Sequence, residues 1–191
     1  MPIFNFLLSA FIEFGPALAF LKTALFFDFF TGVKVLIFST ILALLLSIWR
    51  DRRIPVFMGL NSLFVFIFST SSLYFHNEYL VVLEFTIYNS LFGLGVIWGY
   101  IMDKPIMKIM FGTMFSITDK GWHRLSIRWG IMFFITAIGN ELIWRFYNPH
   151  VWIYYRFLSV LVLTIFGLSQ FFLSKKERLP GSSPWGLKIF T

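Results

Sequence analysis

Long apolar runs separated by short polar knots set the pattern of this chain. Residues 32–49 are apolar up to Trp49-Arg50-Asp51-Arg52-Arg53. Residues 54–75 run to the polar stretch Ser69-Thr70-Ser71-Ser72 and then His76-Asn77-Glu78, and residues 80–102 run to Asp103-Lys104-Pro105. A short amphipathic connector (106–121) carries Lys108, Asp119 and Lys120. Residues 123–147 close at Asn148-Pro149-His150, and residues 151–173 close at Ser174-Lys175-Lys176-Glu177-Arg178. A run of about 20 apolar residues is long enough to cross the hydrocarbon of a bilayer as a helix. The pattern therefore predicts five transmembrane helices.

The two ends read differently. Residues 3–12 are apolar but short, Glu13-Phe14-Gly15-Pro16 interrupts them, and a second apolar piece reaches Phe30. Proline has no N–H to donate and fits the first turn of a helix better than its interior. Residues 1–31 are therefore predicted to be a broken apolar segment of two half-length helices, re-entrant or lying at the interface, with one kinked sixth span as the alternative. No basic residue precedes the apolar stretch, which argues against a cleaved signal peptide. Pro180-Gly181-Ser182-Ser183-Pro184 makes residues 174–191 a flexible basic tail. The predicted fold is all-α: a polytopic helical membrane bundle over residues 32–173, flanked by these two segments.

Composition agrees and narrows the class. The 191 residues are 58% hydrophobic and 13% charged, against about 45–50% and about 25% for soluble domains. The mean hydropathy of +0.79 excludes a disordered chain and most soluble enzymes. Cysteine is absent, which removes disulfides, thiolate metal sites and cysteine nucleophiles. The net charge of +7 would suggest nucleic acid in a soluble protein. Here the basic residues separate by side when alternate loops are assigned to one face. Arg50, Arg52, Arg53, Lys104, Lys108, Lys120, Arg124, Arg128, Lys175, Lys176, Arg178 and Lys188 fall on one side; Lys22, Lys34, Arg145 and Arg156 fall on the other. Loops rich in Lys and Arg stay cytoplasmic, so the C-terminus is expected inside, and no nucleic-acid partner is expected.

Little in the sequence carries chemistry. His76, His123 and His150 have no i, i+4 partner among themselves, so no helical zinc pair exists, and no nucleophile elbow, phosphate loop or dinucleotide fingerprint occurs. No catalytic, cofactor-binding or metal-ligating residue is assigned, and no cofactor is expected. Charges inside spans are more informative, because burying one in hydrocarbon costs several kcal/mol. Glu84 begins the third span, Asn140, Glu141 and Arg145 end the fourth, and Arg156 begins the fifth. They form a balanced candidate polar network in the outer half, used either to fix helix arrangement or to line an outward-facing pocket. Trp122, Arg124, Arg128 and Trp129 read as an inner-interface belt that anchors on anionic headgroups. In the third span, Glu84, Tyr88, Leu91, Gly95 and Gly99 share a stripe at about 100° per residue. Gly95-x-x-x-Gly99 suits close helix packing, inside the bundle or between copies in a homo-oligomer.

Several stretches in order carry a resemblance. They are Glu13-x-Gly15-Pro16, His76-Asn77-Glu78, Lys104-Pro105-Ile106-Met107 with Met110-Phe111-Gly112, Trp122-x-Arg124-Leu125-x-x-x-Trp129, Asn140-Glu141-x-x-Trp144-Arg145 and Trp152-x-x-Tyr155-Arg156. This combination over residues 13–173 resembles the intracellular septation protein A family, also called the inner-membrane-spanning YciB family, in its alphaproteobacterial branch. The chain departs from that pattern twice. Glu84-x-Thr86 stands where the family has Lys-x-Thr, and Tyr155-Arg156 stands where it has an aromatic-Lys pair. The resemblance implies a bacterial inner-membrane protein with about five spans and a non-enzymatic role in envelope biogenesis, envelope integrity and septation. It also implies contacts with division and elongation proteins. A small transporter or channel with an outward polar pocket is the competing reading, motivated by the broken N-terminal segment and the polar cluster.

Overall fold

The computed structural model describes residues 2–52, 56–112 and 115–188. Arg53 of the basic loop and the side chain of Glu13 lie outside the described residues. Seven helices follow one another among them: α1 (Pro2–Phe26), α2 (Phe29–Asp51), α3 (Val56–Phe75), α4 (Tyr79–Ile101), α5 (Ile106–Phe111), α6 (Asp119–Phe146) and α7 (Pro149–Lys176). Four of them are long and apolar enough to cross a membrane, over Phe29–Arg50, Met58–Phe75, Tyr79–Ile101 and Pro149–Lys176. α6 is not among those four, yet at 28 residues it would be about 42 Å long. It carries Arg128, Asn140 and Glu141 within its apolar stretch, and Asn140 is fully buried.

The polar knots stop the helices as their chemistry requires. Asp28 is the N-cap of α2, its carboxylate accepting from the Thr31 N–H at 2.9 Å and from the Thr31 hydroxyl. Those two bonds hold the Asp28 carboxyl below the usual aspartate range. The cap is therefore intact at neutral pH, and its contribution fades only as pH falls through that lowered value. Arg52, His76 and Asp103 follow the ends of α2, α3 and α4 in the left-handed conformation, which turns the chain out of the helix.

The N-terminal segment is broken, but not where proline suggests. α1 runs through Pro16 as one helix rather than two half-length ones, and the break falls at Phe27-Asp28. Proline is tolerated inside membrane helices, where neighbouring structure compensates the missing bond. α1 and α2 then meet closely: a Cβ on Gly32 would stand 2.8 Å from the Ala24 methyl.

The chain divides into two compact units, residues 1–88 with 139–160 and residues 89–138 with 161–191. The first is centred on Phe20, Phe29, Val33, Val65, Val81, Val82 and Trp152. Trp152 is fully buried and meets Phe20 edge-on at 6.1 Å. The second is centred on Val96, Met107, Trp122, Leu125, Phe133 and Leu173. In lipid there is little hydrophobic force between helices, so close packing and hydrogen bonds hold them. Within the second unit Gly130 shows this directly: a Cβ there would come within 2.7 Å of Ile97.

Of the stripe expected on α4, Glu84 and Gly99 are buried and Tyr88 and Gly95 half-buried, while Leu91 departs from it. Leu91 is 53% exposed while Val96 is 1% exposed, so the buried side also takes in Val82, Phe85, Asn89, Gly93 and Val96. The Gly95/Gly99 groove is occupied by this chain's own Ile106, whose Cγ1 would lie 2.8 Å from a Cβ on Gly99.

Backbone hydrogen bonds tie residues 178–187 of the tail to the segment after α5. Antiparallel bridges join Phe115 to Leu187 and Ile117 to Arg178. The Leu179 N–H donates to the Ser116 carbonyl at 3.0 Å, and the Ser116 N–H donates to the Gly186 carbonyl at 2.7 Å. Gly186 has φ +71, and a Cβ there would stand 2.6 Å from the Ser174 carbonyl oxygen, so no other residue fits this turn.

Candidate polar network and its relatives

The candidate network lies in the first unit, on α4, α6 and α7. It separates into two clusters. In the deeper one, Arg156 Nη2 donates to Glu84 Oε2 at 2.6 Å. Glu84 is fully buried and Arg156 is 8% exposed. The guanidinium also stands over the Phe85 ring, 4.4 Å from its centroid. A cation near an aromatic face is attracted by the ring quadrupole, more strongly when desolvated. Charge balance alone leaves Arg145 and Arg156 both open as partners of Glu84; the geometry chooses Arg156.

The second cluster gathers round Glu141. Its carboxylate accepts from the Thr86 hydroxyl at 2.8 Å, the Tyr79 hydroxyl at 3.1 Å and Arg145 Nε at 3.2 Å. Its neighbour Asn140 is consumed entirely inside the fold. Asn140 Nδ2 donates to the Val82 carbonyl and to the Thr86 hydroxyl, both at 2.9 Å, and Trp152 Nε1 donates to Asn140 Oδ1 at 2.8 Å. Tyr79 stacks on Trp144, and Trp144 meets Trp152 edge-on. Thr86, Tyr79 and Trp152 are members that the charge pattern does not reveal. The available signal is polar hydrogen-bonding groups beside the named charges: Thr86 follows Glu84 by two, and Trp152 precedes Arg156 by four.

Both clusters tie helix to helix. Glu84 to Arg156 joins α4 to α7; Glu141 and Asn140 join α6 to α4; Trp152 joins α7 to α6. A buried charge stripped of its partner is far more costly than the pair itself, so each bond constrains the arrangement of the helices that carry it.

The inner belt lies in the second unit, with Trp122 buried, Trp129 half-buried and Arg124 and Arg128 exposed. Trp122 is 3% exposed in the core, not at a headgroup surface. Arg124 is paired with Glu177, and Arg128 Nη1 donates to Gln170 Oε1 at 3.3 Å. Trp129 packs edge-on against Phe166. Nearby, Lys108 pairs with Asp119 at 2.6 Å, and this contact holds the Asp119 carboxyl below its usual range. His123 Nε2 lies 3.2 Å from Asp103. Among the described residues no group of three His, Cys, Asp or Glu could hold a metal ion.

Comparison with known proteins places these motifs. The family model described as intracellular septation protein A matches residues 8–179. A protein of Nitrobacter hamburgensis named inner membrane-spanning protein YciB is 32% identical over 87% of this chain and 84% of its own length. The protein of the same name from Brucella anthropi is 30% identical over 88% of this chain and 75% of its own. That from Agrobacterium fabrum is 28% identical over 71% and 67%. No solved structure matches the chain. With the match running from within the first helix to just past α7, this multi-span membrane protein belongs to the intracellular septation protein A family.

Proposed function

We propose that the chain is a non-enzymatic inner-membrane protein of envelope biogenesis and septation, working through its helix and loop surfaces rather than through a reacting site. The observation that carries this reading is that the polar groups face one another: Glu84 pairs with Arg156, Asn140 bonds three neighbours and Glu141 three more, and all but the Glu141–Arg145 bond within α6 join one helix to another. The names of the family and of its relatives support the septation and inner-membrane parts. Division and elongation proteins are the partners proposed, together with lipid headgroups at the cytoplasmic face. A deletion strain should show lengthened cells and reduced osmotic and detergent tolerance. Normal cell length with normal tolerance would overturn the reading.

The orientation follows from the charge asymmetry between alternate loops, with the C-terminus and the 50–53 and 103–121 loops cytoplasmic. A reporter fused to the C-terminus and active only outside the cytoplasm should stay silent. Activity of that fusion would reverse the topology.

A further inference from the structure

The end of α7 and the tail that returns to it form a surface that the septation reading does not use. Lys175 and Lys176 occupy the last turn of α7. Phe172, one turn earlier, is 71% exposed on a helix apolar enough to cross a membrane. The tail then folds back along it. Ser174 Oγ donates to the Trp185 carbonyl at 2.7 Å, the Ser116 N–H donates to the next carbonyl, that of Gly186, also at 2.7 Å, and Arg178 Nη1 donates to the Pro184 carbonyl at 3.0 Å. Trp185 is therefore held from both sides. Its indole meets Phe172 edge-on with centroids 6.4 Å apart, and the Lys175 ammonium stands 5.1 Å from the ring centroid. Trp185 remains 45% exposed.

Depth follows from the helix rise. Phe172 lies about 6 Å along the axis before Lys176, at about 1.5 Å per residue. An indole that touches Phe172 beside the last basic turn stands where acyl chains give way to headgroups, the level tryptophan prefers. The Lys175 ammonium stands over that ring and places a positive charge at the same level. Lys176 and Arg178 are close by in the chain, while the one acidic neighbour in the run, Glu177, is turned to Arg124 and Thr118. The face is apolar below and positive above.

We propose that Phe172, Trp185 and Lys175 form a lipid-docking surface that seats the tail in the bilayer interface, with the anionic phosphate headgroup of a phospholipid as its occupant. This rests on membrane placement and not on the septation role. It adds a headgroup contact at the tail to the one expected at the Trp122–Trp129 belt, where Trp122 is buried and Arg124 is paired with Glu177.

The full chain in vesicles of phosphatidylcholine with phosphatidylglycerol tests it. The fluorescence lost on Trp185→Phe isolates the indole's own share. That share should be quenched by lipids brominated close to the headgroup. Quenching by aqueous acrylamide alone would overturn the proposal. In native mass spectrometry of the detergent-purified protein, Lys175→Gln should lower retained phosphatidylglycerol about fivefold, the effect of one interfacial charge, and leave phosphatidylcholine unchanged. Equal retention of both lipids by the unaltered protein and the variant would overturn the headgroup assignment. Neither readout depends on cell division, so a failed septation phenotype and a failed lipid contact are told apart.

Discussion

Arg156→Leu is expected to destabilise the folded protein by about 3–5 kcal/mol, the largest effect of any single substitution in the polar network, because it leaves a buried carboxylate with no counter-charge. Glu84 is fully buried and its one ion-pair partner among the described residues is Arg156, at 2.6 Å. The pair itself contributes much less than its rupture takes away, since two desolvated charges roughly cancel their own attraction. Replacing both ends, Glu84→Met with Arg156→Leu, should therefore recover most of the loss. Unfolding in mixed micelles measures both variants. A single variant within about 0.5 kcal/mol of the unaltered protein, the range of ordinary surface changes, would show that the pair is not a brace.

Asn140→Leu is the second large effect, expected at about 2 kcal/mol. The substitution removes three hydrogen bonds, to the Val82 carbonyl, the Thr86 hydroxyl and Trp152 Nε1. Each is worth on average about 0.6 kcal/mol in a membrane protein, and the stranded indole N–H adds to their sum. Ile138→Leu, at a side chain 58% exposed on the same helix, should leave stability unchanged. The same unfolding titration reads both, and equal stability of the two variants would remove Asn140 from the structural account.

The fold is legible where hydrophobicity is one-dimensional. The third span, expected at 80–102, is Tyr79–Ile101, and the fifth, expected at 151–173, is Pro149–Lys176. Hydropathy fails at the next level, because a lipid-facing leucine and a core leucine are chemically alike in a membrane. That is why periodicity alone places Glu84 and Gly99 inward on α4 but misassigns Leu91, which is exposed, and misses Val96, which lies in the core. The glycine pair marks a close approach correctly, but sequence spacing does not say who approaches, and the answer is Ile106 of the same chain. Pro16 reads as a break by the rule for water-exposed helices and sits inside a helix.

The polar network is legible as a balanced set of charges and illegible as a wiring. Glu141 and Arg145 are four apart and pair as the helix period requires. Glu84 and Arg156 are 72 residues apart, and only the tertiary arrangement brings them together. The tail depends on backbone hydrogen bonds between residues 116 and 179–186, which leave no trace in composition.

Reversing the pair tests the central claim most directly: that these charges hold helices together and do not recognise a ligand or partner. The measurement is cell length in a deletion strain supplied with Glu84→Arg, with Arg156→Glu, or with both substitutions together. A brace requires that each single variant fail to restore normal length, through loss of folded protein, and that the double variant restore both folding and length. A double variant that folds as stably as the unaltered protein, yet leaves the cells elongated, would contradict the claim and place a recognising site at Glu84 and Arg156.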